Sequence, residues 1–130
     1  MRTIGLDNGI VLKSPKVIFH GFNFTDSLGE NNIEICYWRK CWGIRREILS
    51  IFPSTYTNDG IYYLTADNIK DIRKIIRYFC NQKHWEEDAN SIWTYAEFRP
   101  VLTIQWMQLF RLEKYLRTHA DAICYFYDSY

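Results

Sequence analysis

Asn31-Asn32-Ile33-Glu34-Ile35-Cys36-Tyr37-Trp38-Arg39-Lys40-Cys41-Trp42-Gly43-Ile44-Arg45-Arg46-Glu47-Ile48-Leu49-Ser50-Ile51-Phe52 is the stretch on which the reading of this chain turns. Ile33, Tyr37, Cys41, Ile44, Ile48 and Ile51 recur at steps of three and four. That spacing predicts one helix with these residues on its inner face. Asn31 or Asn32 is placed to cap it by accepting a hydrogen bond from a free backbone N–H. Pro53 stops it, because the residue before a proline is pushed out of helical geometry. On a flank of this helix Trp38 and Trp42 fall one turn apart, beside Arg39, Lys40, Arg45 and Arg46. Two large aromatics among four cations predict a contact surface, with Trp38, Arg39, Trp42, Arg45 and Arg46 as its partner-binding residues. The same residues suit a protein hot spot, where Trp and Arg are over-represented. They also suit nucleic acid, with cations on phosphate and Trp stacked on bases. A purely structural alternative half-buries Trp under Arg through cation–π contact.

Outward from that stretch, Asn8-Gly9 reads as the two-residue turn of a β-hairpin over Thr3–Lys13, since both positions tolerate positive φ. Ile4-Gly5-Leu6-Asp7-Asn8-Gly9 also resembles the first phosphate-binding strand of sugar kinases and related nuclease folds, where an Asp beside a glycine turn holds metal or phosphate. The turn chemistry favours the hairpin. Val17–Phe24 suggests a further strand, with Gly21 as a bend. Asn58-Asp59-Gly60 is a turn, and Ile61–Leu64 a short strand. Thr65 caps a second helix whose apolar stripe is Ile69, Ile72, Ile75, Ile76 and Phe79. Trp85–Arg99 reads as a loop with a short extended piece. Pro100 then occupies the first turn of a third helix lined by Leu102, Trp106, Leu109, Phe110 and Leu116. Ile123–Tyr127 is a terminal strand that could pair with Ile61–Leu64 or with the N-terminal hairpin.

The fold class that follows is α+β: one domain over residues 1–130, with three main helices packed on a small, mainly antiparallel sheet. Its core is expected to hold Ile33, Tyr37, Cys41, Ile44, Ile48, Ile72, Ile76, Phe79, Leu109 and Phe110.

Composition narrows the function classes. The chain carries 5 Trp, 10 Tyr and 8 Phe, more than a domain this size readily buries, so some belong to an exposed patch, a groove or a homodimer contact. A net charge of +1 argues against a strong sequence-independent DNA binder, although the cations cluster at 39–46 and on the second helix at Lys70, Arg73, Lys74 and Arg77. The first residues form no signal peptide, and no apolar run is long enough to span a bilayer. A cytoplasmic protein with reduced Cys36, Cys41, Cys80 and Cys124 is therefore expected. The cysteines make no Cys-x-x-Cys pair, and His20, His84 and His119 are scattered, so neither metal nor other cofactor is expected. Glu86, Glu87, Asp88 and Glu97 could supply paired carboxylates for acid–base or metal chemistry, but a solvated loop accounts for them.

Glu34 followed by Tyr37-Trp38-Arg39-Lys40, then Tyr62-Tyr63-Leu64-Thr65 with the Ile69–Phe79 stripe, then Trp93–Tyr95 and Leu102–Leu116, resembles a group of small phage and prophage proteins over residues 33–117. Cys41-Trp42-Gly43-Ile44 stands where that group often has small residues and an Ile-His pair. The resemblance implies a phage-encoded accessory protein. Such proteins often work by occupying a surface on a host defence factor, for example a nuclease effector of bacterial immunity, as anti-CRISPR inhibitors do. This gives the leading expectation, a non-enzymatic inhibitor acting in the host cytoplasm. A single-stranded nucleic-acid or nucleotide binder is the first alternative. A small metal-dependent nuclease or nucleotide hydrolase using Asp7 or Glu86–Asp88 is the second.

Overall fold

The opening stretch folds as two elements, a strand and then a helix. The computed structural model describes residues 7–13, 32–53, 60–82 and 94–129, and in it Asn32–Arg39 is a strand and Trp42–Leu49 a helix. The single helix predicted over this stretch is thereby corrected. Its β-branched and aromatic residues (Ile33, Ile35, Tyr37, Trp38) suit a pleated, half-buried surface. The step of four from Ile33 to Tyr37 fits a strand's period of two as well as a helix. Ile10 pairs with Cys36 and Val11 with Glu34, so Ile35 is the extra residue of a β-bulge. The bulge keeps Ile35 and Cys36 both buried, at 4% and 2% exposure. The bulge inverts the alternation beyond it, so Tyr37 faces away from Ile33. Lys40, at φ 54°, breaks the strand, and Cys41 precedes the helix without a side-chain cap.

In chain order the elements are β1 (Asp7–Lys13), β2 (Asn32–Arg39), α1 (Trp42–Leu49), β3 (Ile61–Tyr63), α2 (Ala66–Cys80), α3 (Tyr95–Thr118) and β4 (Ile123–Ser129). The four strands form one antiparallel sheet in the order β2-β1-β4-β3. With the three helices of the described residues, this is the expected α+β fold. The terminal strand pairs with both candidates named for it, β1 on one side and β3 on the other. No helix among the described residues is long and apolar enough to cross a membrane.

Asn8-Gly9 is not a turn. Both residues lie inside β1, hydrogen-bonded between β2 and β4. A Cβ on Gly9 would lie 2.5 Å from the ring of Tyr127, so glycine is needed for close approach of a side chain. Gly60, by contrast, does take a left-handed φ of 82°, as the turn before β3 requires. The partner strand of the expected hairpin, the Val17–Phe24 strand and Glu86–Asp88 lie outside the described residues.

Thr65 caps α2 as predicted, in a reciprocal capping box with Asn68. α3 begins earlier than Pro100 suggested. Thr94 accepts from the Glu97 N–H, the Glu97 carboxylate accepts from the Thr94 N–H, and Pro100 sits inside the helix. The Thr-x-x-Glu signature was present in the sequence and outweighs the proline. Glu97 is thereby a cap; its backbone and side-chain bonds from Thr94 hold its carboxyl below the ordinary carboxylate value.

The core lies between the sheet and the helices. Ile10, Leu12, Trp38, Ile44, Ile48, Ile69, Ile72, Ile76, Leu102 and Phe126 are each fully buried. Expected core positions Cys41, Phe79 and Leu109 are buried as well. Ile33 is only partly buried and packs against this core. Tyr37 and Phe110 are corrected, at 44% and 38% exposure. Tyr37 lies on the outer face of β2, opposite Gly9, where strand alternation turns it away from its buried neighbours Cys36 and Trp38.

Candidate functional site

The five residues expected to form one contact surface fall in four places. Trp38 is 1% exposed and lies in the core, where its indole Nε1–H donates to Gln105 Oε1 at 2.7 Å. It cannot share a surface with Trp42. Arg39 is on the outer face of the sheet edge, 3.8 Å from Asp7. Arg45 is held by Asp128 in a two-pronged pair, Nε to Oδ1 at 2.8 Å and Nη2 to Oδ2 at 2.9 Å. Asn8, itself 1% exposed, donates to the same Asp128 Oδ1 at 2.7 Å. Arg45 therefore joins α1 to the end of β4, which is a structural task.

Trp42 and Arg46 remain together. They are one turn apart on α1, on the side away from the buried Ile44 and Ile48. Trp42 is 41% exposed. Arg46 opens onto a groove of 310 Å³ between α1 and α2. Ile75 and Phe79 form its apolar part, while Arg46, Glu47, Lys74, Tyr78 and Gln82 form its polar rim. The Arg46–Glu47 pair is 3.5 Å long between exposed side chains, too loose and too wet to immobilise Arg46. Tyr78 is 57% exposed, its ring set edge-on to Phe79 at a centroid distance of 5.2 Å.

Tyr78 is a residue that the sequence reading did not single out. It follows Lys74 by one turn, on the side of α2 away from Ile72 and Ile76. That spacing was legible, but its relevance depended on α1 packing alongside.

Residues considered for chemistry have other occupations. Asp7 accepts a bond from Tyr37 Oη at 2.7 Å. Burial pushes the Cys41 and Cys124 thiols up to about 12, and that of Cys36 well above its ordinary value, the opposite of nucleophile activation. Among the described residues no group of three His, Cys, Asp or Glu side chains is arranged to hold a metal ion. Comparison with protein-family models, curated proteins and solved structures returns no match to this chain.

Proposed function

We propose that this chain is an accessory binding protein that acts by occupying a surface of another protein, and that the α1–α2 groove makes the contact. One observation carries this reading: Arg46, Lys74 and Tyr78 surround a single groove whose apolar part is Ile75 and Phe79, and Trp42, one turn from Arg46 on α1, is 41% exposed. Trp, Tyr and Arg are the residue types that dominate binding energy in protein interfaces. Aromatics left in solvent beside an apolar depression offer area that a partner can cover. The resemblance to small phage proteins supplies the partner class, a host defence factor such as a nuclease effector, with inhibition by steric occlusion. On this reading the protein needs no cofactor and catalyses no reaction.

The test is affinity capture from host lysate, with and without nuclease, using the wild-type chain and the variants Trp42→Ala and Tyr78→Ala. A stoichiometric protein that survives nuclease and weakens by about 2 kcal/mol or more with either variant supports the groove as the contact. Equal retention by both folded variants removes the groove from the reading. Loss of the captured species on nuclease treatment moves the function to nucleic-acid binding.

A further inference from the structure

We propose that the seam between α2 and α3 is a docking site for an acidic segment of a partner protein carrying one apolar anchor, separate from the α1–α2 groove and independent of its use. Two hollows flank Trp106. One, of 450 Å³, is floored by Trp106, Met107 and Phe110 and edged by Arg111 and Lys114. The other, of 290 Å³, reaches Arg77 and Arg99 at the opposite end. Met107 and Phe110 are 41% and 38% exposed.

Charge selects the occupant. Arg73 crosses the middle of the seam, its guanidinium 4.9 Å from the Phe110 ring centroid and 5.7 Å from that of Trp106. Glu113 is the acid beside it, and it is already bound by Arg73 at 2.8 Å and Arg117 at 3.0 Å. A chain with a net charge of only +1 thus concentrates cations along one aromatic strip. Arg99 and Lys114 lie about 22 Å apart along the α3 axis. That distance matches about seven extended residues. Acidic side chains at both ends with a large apolar residue between them would meet the cations and fill the central hollow.

The ring geometry separates a peptide from a single-stranded nucleic acid. Base stacking needs an open aromatic face. Phe110 has Arg73 at 4.9 Å and Lys114 at 4.6 Å over its ring, and it stacks on Trp106 at 6.1 Å with an interplanar angle of 25°. With cations already over the Phe110 ring, the strip offers charge beside an apolar hollow, the chemistry of an acidic peptide site.

The experiment selects short random peptides displayed on particles against the full chain. Fluorescence anisotropy then measures the enriched peptides on wild type, R77E/K114E and W42A/Y78A, with folding of each variant checked by circular dichroism. Enriched sequences should place Asp or Glu around one Leu, Phe or Trp. They should bind about tenfold or more weakly to R77E/K114E, which reverses one charge at each end of the strip. They should also weaken with added salt and keep their affinity for W42A/Y78A. Enrichment of sequences without acids, no enrichment, or indifference to R77E/K114E overturns the proposal. So does an oligothymidylate that binds as tightly as the peptides with the same dependence on Arg77 and Lys114. Loss confined to W42A/Y78A also overturns it, and leaves the α1–α2 groove standing.

Discussion

Gln105 grips Trp38 and its neighbour with both ends of one amide: Oε1 accepts from the Trp38 indole at 2.7 Å, and Nε2 donates to the Tyr37 carbonyl at 3.3 Å. Gln105 is 5% exposed on α3, among Leu102, Leu109 and Leu112, where an apolar residue would otherwise be expected. Its retention there has a physical reason. A Trp buried to 1% needs an acceptor for its N–H, and β2 is the outermost of the described strands on its side of the sheet. A carbonyl held by Gln105 is less available for pairing with a foreign strand.

Replacing Gln105 by Leu should cost about 2 kcal/mol, because it strands a buried indole N–H. Trp38→Phe should also be costly, through lost packing and an orphaned Gln105. The double variant should be less destabilised than the sum of the two, since neither partner is then left unpaired. Urea unfolding of the four proteins checks this. Strict additivity would mean that the bond contributes nothing.

Glu113 gives the fold a dependence on acid. Burial raises its carboxyl, but bonds from Arg117 and Arg73 outweigh that and hold it below its ordinary value of 4.5. A depressed folded value means that the unfolded chain binds the proton more tightly. The stabilisation is complete above the unfolded value and is lost as pH falls through the lower folded one. Thermal midpoints should therefore drop in the acid range below about pH 4.5. Glu113→Gln should be less stable at neutral pH and should flatten that part of the curve. An unchanged acid slope in Glu113→Gln would assign the effect to other carboxylates.

How much was legible in the sequence varies with the kind of signal. α2 was readable because its apolar stripe and its Thr65 cap agree. The pairing options for β4 were readable from its alternation. β2 was not, because the step from Ile33 to Tyr37 fits a helix as well as a strand and runs on through Cys41, Ile44 and Ile48, while the bulge at Ile35 depends on the partner strand. That error carried the site with it: Trp38 and Trp42 share a flank only if one helix contains both. The Arg45–Asp128 pair spans 83 residues and had no local trace. Arg46 and Lys74 were visible as residues, whereas their assembly around a groove required the packing of α1 on α2.

The cysteines offer a check on burial. Cys36, Cys41 and Cys124 are buried, and their thiols are held in the protonated form; Cys80 is partly exposed, 3.4 Å from Thr103 Oγ1. Iodoacetamide at mildly alkaline pH should modify Cys80 first in the native protein. The other three should react only at the rate of opening or unfolding. Mass spectrometry of peptides from partly labelled protein reads this directly. Rapid labelling of Cys36 or Cys124 would show that the sheet opens far below the global unfolding free energy.

Gly9 and Tyr127 make the sharpest case of a residue fixed by its neighbour. They face each other across β1 and β4, and the Tyr127 ring lies over Gly9 to donate its hydroxyl to Glu34 at 2.6 Å. An alanine Cβ at position 9 would sit 2.5 to 2.7 Å from the outer ring atoms and the hydroxyl, so the ring must swing away and release Glu34. Overpacking of this kind costs about 1–3 kcal/mol. Against it stands a gain of about 0.5–1 kcal/mol from removing a glycine within a strand. Gly9→Ala should therefore destabilise the wild-type protein. In a Tyr127→Ala background the clash is gone and only the glycine term remains, so the same substitution should become neutral or stabilising. A reversal of sign between the two backgrounds, measured by urea unfolding, places the constraint on the ring. An equal loss in both would place it in the backbone of β1.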